Sequence, residues 1–137
     1  MSMFKIFDTA ASGMSAQSLR LNLVASNMAN ADAVSSSIDQ TYRARQPVFK
    51  TVLDQVNPDA AATGVRMAGV VESQAPLVQE YAPDHPLANE EGYVFRPNVN
   101  MVEEMANMMS ASRSYQSNVE VANAAKQLLI ATIQMGQ

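Results

Sequence analysis

The sequence has no cysteine, no tryptophan and a single histidine. Without cysteine there can be no disulfide scaffold, zinc–thiolate site, iron–sulfur cluster or thiol nucleophile. One histidine excludes a His-rich metal centre and a His–His relay. Charge is also scarce: 16% of residues are charged, against about 25% in ordinary soluble domains. The net charge of −4 argues against a nucleic-acid binder or a polybasic membrane binder. Apolar runs fall well short of the roughly 18 residues that a membrane helix needs, so no transmembrane segment is expected. What is there is a chain of 137 residues with ten methionines. That length suits one domain with a core of limited size.

The residues are unevenly spread. All six prolines lie between Pro47 and Pro97. Residues 1–33 carry Lys5, Arg20, Asp8 and Asp32 and are net neutral, whereas residues 34–97 carry five basic and eight acidic groups. Residues 98–137 return to low charge, with Arg113, Lys126, Glu103, Glu104 and Glu120. Three segments follow: an N-terminal helix (1–33), a β- and loop-rich middle (34–97) and a C-terminal helix (98–137). The start, Met1 to Asp8, places an acid where the apolar stretch of a cleavable signal peptide should continue. No cleavage is expected there.

Both end segments have helical period. Phe7, Met14, Leu21 and Met28 recur every seven residues, with Ala10, Val24 and Ala31 offset by three and Gln17 as a polar exception. In the last segment Met101, Met108, Tyr115, Ala122 and Leu129 form one series. Met105, Ser112, Val119 and Ile133 form a second, interrupted by Lys126. This alternation predicts two amphipathic helices, each with an apolar seam that packs against another helix. Asn100 followed by Glu103 fits an N-cap with an acid at its third helical position, and Glu104 adds a second acid near the positive helix end. Gly136 is placed to stop the helix. The two helices would span roughly 42 and 50 Å, more than the ~36 Å width of a compact domain this long. The expected fold is mainly α: two long terminal helices paired as an elongated coiled-coil-like hairpin, with a small β-rich middle insertion. Four short strands are expected there, over 42–49, 65–72, 77–81 and 93–96. The loops between them would run around Asn57-Pro58-Asp59 and Ala82-Pro83-Asp84-His85-Pro86.

A lone two-helix hairpin should carry charge on its outer faces. Here the positions read as outward hold Ser12, Ser15, Gln17, Asn22, Ser26, Asn27 and Asn30 in the first helix. In the second they hold Asn107, Ser110, Ser114, Gln116, Ser117, Asn118 and Asn123. Small uncharged residues of this kind let other helices approach on more than one side. The alternative is an ordinary alanine-rich surface helix. The interface candidates are therefore Phe7, Met14, Leu21, Val24, Met28, Met101, Met105, Met108, Tyr115, Val119, Leu129 and Ile133.

Chemistry finds little support. His85, with Glu90 and Glu91 nearby, lacks the three ligands and supporting shell of a metal site. Glu103 and Glu104 are adjacent on a helix and point about 100° apart, unlike a facing catalytic pair. Ser35-Ser36-Ser37 has no neighbouring base, and Gly13, Gly64, Gly69, Gly92 and Gly136 are isolated, forming no phosphate-cradling loop. An enzyme, a cofactor and a metal are all unexpected.

Residues 11–33 resemble the N-terminal signature of bacterial flagellar rod and hook proteins, met here by Ala16-Gln17, Arg20-Leu21-Asn22 and Asn27-Met28-Ala29-Asn30. Residues 86–123 are similar to a proximal-rod branch of that family. The matching residues are Pro86-Leu87-Ala88, Gly92-Tyr93-Val94, Pro97-Asn98-Val99-Asn100, Glu104-Met105 and Ser112 to Val119. Tyr42 to Arg45 and Glu72 to Pro76 also fit it. The resemblance implies a structural subunit of the flagellar basal-body rod, built helically with related rod proteins and copies of itself to carry torque across the periplasm. It further implies contacts with membrane-ring or rod-base components, export through the flagellar type III apparatus without a cleaved signal, and no cofactor or nucleic acid. Another axial subunit, or a stand-alone helical adaptor or export chaperone, are the competing readings.

Overall fold

The structure, a computed structural model, describes residues 3–53 and 64–136. The expected loop around Asn57-Pro58-Asp59 lies outside the described residues. Helix α1 runs Met3–Ala29 and helix α2 Met101–Met135. Their 27 and 35 residues correspond to about 40 and 52 Å of helix. The N-cap of α2 is Asn100, whose side chain accepts from the Val102 and Glu103 amides. This satisfies two of the donors that a helix start leaves orphaned. Pro97 closes the approach to α2 and is buried. The helix ends at Met135, and Gly136 keeps a right-handed backbone there, so its freedom at positive φ is not used.

Two antiparallel strand pairs lie between the helices. Strand β1 (Arg45–Val52) pairs with β2 (Gly64–Glu72), and β3 (Val78–Tyr81) with β4 (Tyr93–Arg96). The β-rich middle is therefore two separate sheets rather than one. In the first, Val48 faces Gly69 and Phe49 faces Met67, leaving Ala68 as an extra residue that bulges β2. In the second, the Tyr81 and Tyr93 rings meet edge-on at 5.1 Å. Gly92 sits at φ +82, and a Cβ there would lie 2.9 Å from the Tyr81 ring. Both facts make this turn a glycine position.

The strand expected over 42–49 begins three residues later, at Arg45. The Ala44 carbonyl still accepts from the Ser73 amide at 2.8 Å, but the Ala44 amide donates to Asn98 Oδ1 at 2.8 Å, so a side chain interrupts the ladder before Tyr42 and Arg43 can join it. Similarly β3 starts at Val78 rather than Leu77.

The first sheet forms a ribbon over α1, where the Val65 amide donates to Ser12 Oγ at 3.2 Å. The second is tied to the exit of α1 by reciprocal Ser35–Phe95 backbone bonds of 3.0 and 2.9 Å. Arg96 adds ion pairs to Asp32 at 2.7 Å and Glu80 at 3.4 Å. These pairs are exposed and contribute little. Apart from Phe95, the buried apolar side chains are small: Ala10, Ala16, Val24, Ala44, Val94, Ala111 and Ala125. No helix among the described residues is long and apolar enough to cross a membrane.

Candidate functional site: the packed and exposed faces of the helix pair

The two helices run side by side in opposite directions. Gly13 lies against Asn118, Arg20 donates to Asn107 Oδ1 at 3.0 Å, and Asn27 donates to Glu104 Oε2 at 3.1 Å. Rising numbers in α1 meet falling numbers in α2. The residues at this contact are small or polar. Ala10 and Val24 are buried on α1, and Glu104, Ala111 and Ala125 on α2. A Cβ on Gly13 would come within 2.7 Å of the Asn118 amide nitrogen. The space that a side chain on Gly13 would take is filled by the Asn118 amide.

That differs from the seam expected of the apolar stripes. On α1, Ala10 and Val24 are where the heptad places them, but the alternating series is Gly13, Arg20 and Asn27 rather than Met14, Leu21 and Met28. On α2 the spine is Glu104, Ala111, Asn118 and Ala125, one residue before Met105, Ser112, Val119 and Lys126. One residue is about 100° of helix rotation, so the bulky stripes are turned onto a flank. The physical reason is that heptad counting rewards apolar bulk, while this contact is made by small side chains and by polar ones that hydrogen-bond across it.

The structure brings the two flanks to the same side. The ribbon sits on the other side: Arg20, Glu103 and Asn107 line a cleft with Gln46, Pro47 and Phe49 of β1. Phe7, Met14, Leu21 and Met28 of α1 and Met108, Val119 and Leu129 of α2 are half-buried along the opposite flank. Met101, Met105, Tyr115 and Ile133 are exposed. Val24 alone of the twelve candidates is fully buried.

Several residues read as outward or as simple caps prove to be inside. Asn27 is 1% exposed and Glu104 6%. The Asn27 carbonyl accepts from Tyr42 Oη at 2.8 Å and from the Arg45 amide at 2.9 Å. Its nitrogen donates to the Arg45 carbonyl at 2.9 Å as well as to Glu104. All four hydrogen-bonding positions of this amide are filled, which is what lets it be buried. Asn107 and Asn118 likewise face α1. The sequence signal was the density of asparagine on otherwise apolar helices, which is read more simply as surface.

Among the described residues no group of acids and histidine could hold a metal. The exposed His85 uses Nδ1 to accept the Leu87 amide at 3.1 Å, so it closes a turn. Replacing His85 by alanine is expected to leave swimming nearly normal, since one exposed turn contact is lost. Changing Pro83 and Pro86 together to glycine should slow assembly, because each proline that fits its site contributes roughly 0.4–1 kcal/mol. A swim-plate comparison with matched expression checks this; loss of motility in the His85 variant with the proline pair tolerated would contradict it.

Small side chains packed between two long helices, with bulky apolar ones left outside, define a structural subunit built for assembly. Known proteins agree. Residues 7–35 match the family described as "Flagella basal body rod protein", and residues 90–135 match "Flagellar basal body rod FlgEFG protein C-terminal". The chain is 53% identical to the flagellar basal-body rod protein FlgC of Escherichia coli O6:H1 over 139 residues, covering 100% of both. It is 50% identical to that of Salmonella typhimurium, again over 100% of both chains. It is 33% identical to that of Borreliella burgdorferi, over 93% of each. The chain belongs to the FlgC family of flagellar basal-body rod proteins. It is a structural component of the basal body that assembles with other rod components, and not an enzyme.

Proposed function

We propose that the flank stripe is the surface on which neighbouring rod subunits, copies of this chain and related rod proteins, dock in a helical lattice. On this reading Phe7, Met14, Leu21, Met28, Met101, Met105, Met108, Tyr115, Val119, Leu129 and Ile133 pair with neighbours, while Val24 holds the subunit's own helices together. Residues 1–33 and 98–137 then act as one axial unit, a coiled-coil-like hairpin, and residues 34–97 as the outer part. The observation that carries this is the inversion of bulk between inside and outside. Ala111 is 0% exposed whereas Met105 is 53%, Ile133 58% and Tyr115 38% exposed. An apolar face this extended, on helices with few charges, suits burial by another chain, and methionine adapts to irregular neighbours. A lattice packed this way resists twist, because close-packed interiors barely deform, and would carry torque across the periplasm. Export without a cleaved signal through the flagellar type III apparatus, and contact with membrane-ring or rod-base components, complete the proposal.

Leu21→Asp and Leu129→Asp test it. Each places an acid on the half-buried flank, where covering by a neighbour would cost several kcal/mol unless it is neutralised. Both variants should be made at normal level yet give non-motile cells whose basal bodies lack rods. Normal swimming with either would remove the flank from the assembly surface.

A further inference from the structure

Residues 43–45 are where the chain turns from the helix pair into the ribbon, and they are held by side chains from both helical arms. From α1, Asn27 brackets Arg45, accepting its amide at 2.9 Å and donating to its carbonyl at 2.9 Å. From the segment leading into α2, Asn98 accepts the Ala44 amide at 2.8 Å. The nitrogen of Asn98 donates to the carbonyls of Ser73 at 3.2 Å and Ala75 at 2.9 Å, just past the end of β2. Arg43 donates to the same two carbonyls at 3.1 and 3.2 Å. Both roots of the ribbon, the start of β1 and the end of β2, are thereby gripped by two amides. Beyond the roots the ribbon is mostly exposed along both strands.

We infer that Asn27 and Asn98 are a pair of positioning residues that set the angle at which the β1–β2 ribbon leaves the helix pair. A side-chain amide offers a donor and an acceptor in one plane, so Asn27 can stand in for a strand on the open edge of Arg45, and Asn98 can bridge the Ala44 amide and the Ser73 carbonyl where the β1–β2 ladder ends. Such bonds have directional requirements, so the two amides determine the ribbon's orientation as well as its attachment. Among the described residues the hydrogen-bond partners of the Asn98 side chain all lie at the ribbon roots, and Asn27 joins the roots to Glu104 of α2. Asn27 thus also belongs to one end of the helix–helix seam, but fourteen residues of α1, about 21 Å of helix, separate it from the Gly13–Asn118 contact, and Asn98 lies outside the seam. The inference goes beyond the assembly reading, because it concerns geometry within one subunit.

The absence of cysteine gives a clean test by disulfide trapping in the full-length chain. Ser12→Cys with Gly64→Cys reports ribbon docking, since a Gly64 Cβ would lie 2.6 Å from Ser12 Oγ. Gly13→Cys with Asn118→Cys reports helix pairing at the far seam. The rate of each cross-link is compared with and without Asn27→Ala plus Asn98→Ala, in the purified chain and in rods of purified basal bodies. The double change should slow the 12–64 cross-link at least about fivefold, because several hydrogen bonds at the ribbon roots are lost together. The 13–118 cross-link should change by less than about twofold in the same samples. Unchanged 12–64 trapping would overturn the inference. So would an equal fall in both cross-links, which would mean general loosening rather than positioning. Asn98→Ala alone serves where the double variant yields too little protein, and should slow 12–64 trapping without touching 13–118.

Discussion

Ala111→Leu is expected to abolish swimming and to lower the unfolding midpoint of the full-length chain. Ala111 is 0% exposed, in the middle of the α2 spine that faces α1. Leucine adds three heavy atoms where the helices leave no space, and overpacking of a filled site costs about 1–3 kcal/mol. The cost reaches function because pushing α2 away from α1 also turns the flank stripe that neighbouring subunits would meet. Gly13→Ala is the informative companion. Its new Cβ meets only the end of the Asn118 side chain, at 2.7 Å from Nδ2, which can swing aside. The replacement also gains about 1 kcal/mol of helix propensity. Gly13→Ala should therefore be near neutral and Gly13→Leu as damaging as Ala111→Leu. Urea unfolding followed by circular dichroism, with swim plates, distinguishes them. An Ala111→Leu chain with unchanged midpoint and normal motility would show that the seam has slack.

The second large effect is expected for Asn27→Asp, an isosteric change that exchanges the amide nitrogen for an oxygen. That oxygen would face Glu104 Oε2 across 3.1 Å and the Arg45 carbonyl across 2.9 Å, both acceptors. A donor is lost and two buried carboxylates share one pocket, so the variant should lose about 3 kcal/mol or more at neutral pH. The pH dependence identifies the cause. Two adjacent carboxylates cannot both stay ionised without strain, so the folded variant holds a proton more tightly than the unfolded chain does. A folded state that binds more protons is stabilised as pH falls. The variant should accordingly regain stability on acidification from pH 7 toward about 5, still above the ordinary carboxylate range. Adding Glu104→Gln should restore stability at neutral pH, since the new amide can donate to the introduced carboxylate, and should flatten the pH profile. A variant whose loss is independent of pH and not relieved by Glu104→Gln would show that the Asn27–Glu104 contact is not what the change disrupts.

The periodic parts of the sequence determined the helices and strands by themselves. A sustained seven-residue repeat specifies a helix whatever surrounds it, and Asn100 marked the start of α2 because capping is a local interaction. The strand segments near 65–72 and 93–96 were legible for the same reason: β-branched and aromatic residues bounded by turn residues act within a few positions. Which helix face turns inward was decided only in the tertiary structure. Apolar bulk points to Met14, Leu21, Met105 and Val119, yet the contact is made by Gly13, Ala111 and Asn118, and which faces fit together is a property of the pair. Asn27 and Glu104 are the clearest case. Taken singly, each is a polar residue that belongs in water. They are buried because each supplies the other's hydrogen bond, and because Tyr42 and Arg45, distant in α1's terms, arrive to complete the amide. No local pattern encodes that arrangement, since its stabilising energy exists only once the helices and the ribbon root have met.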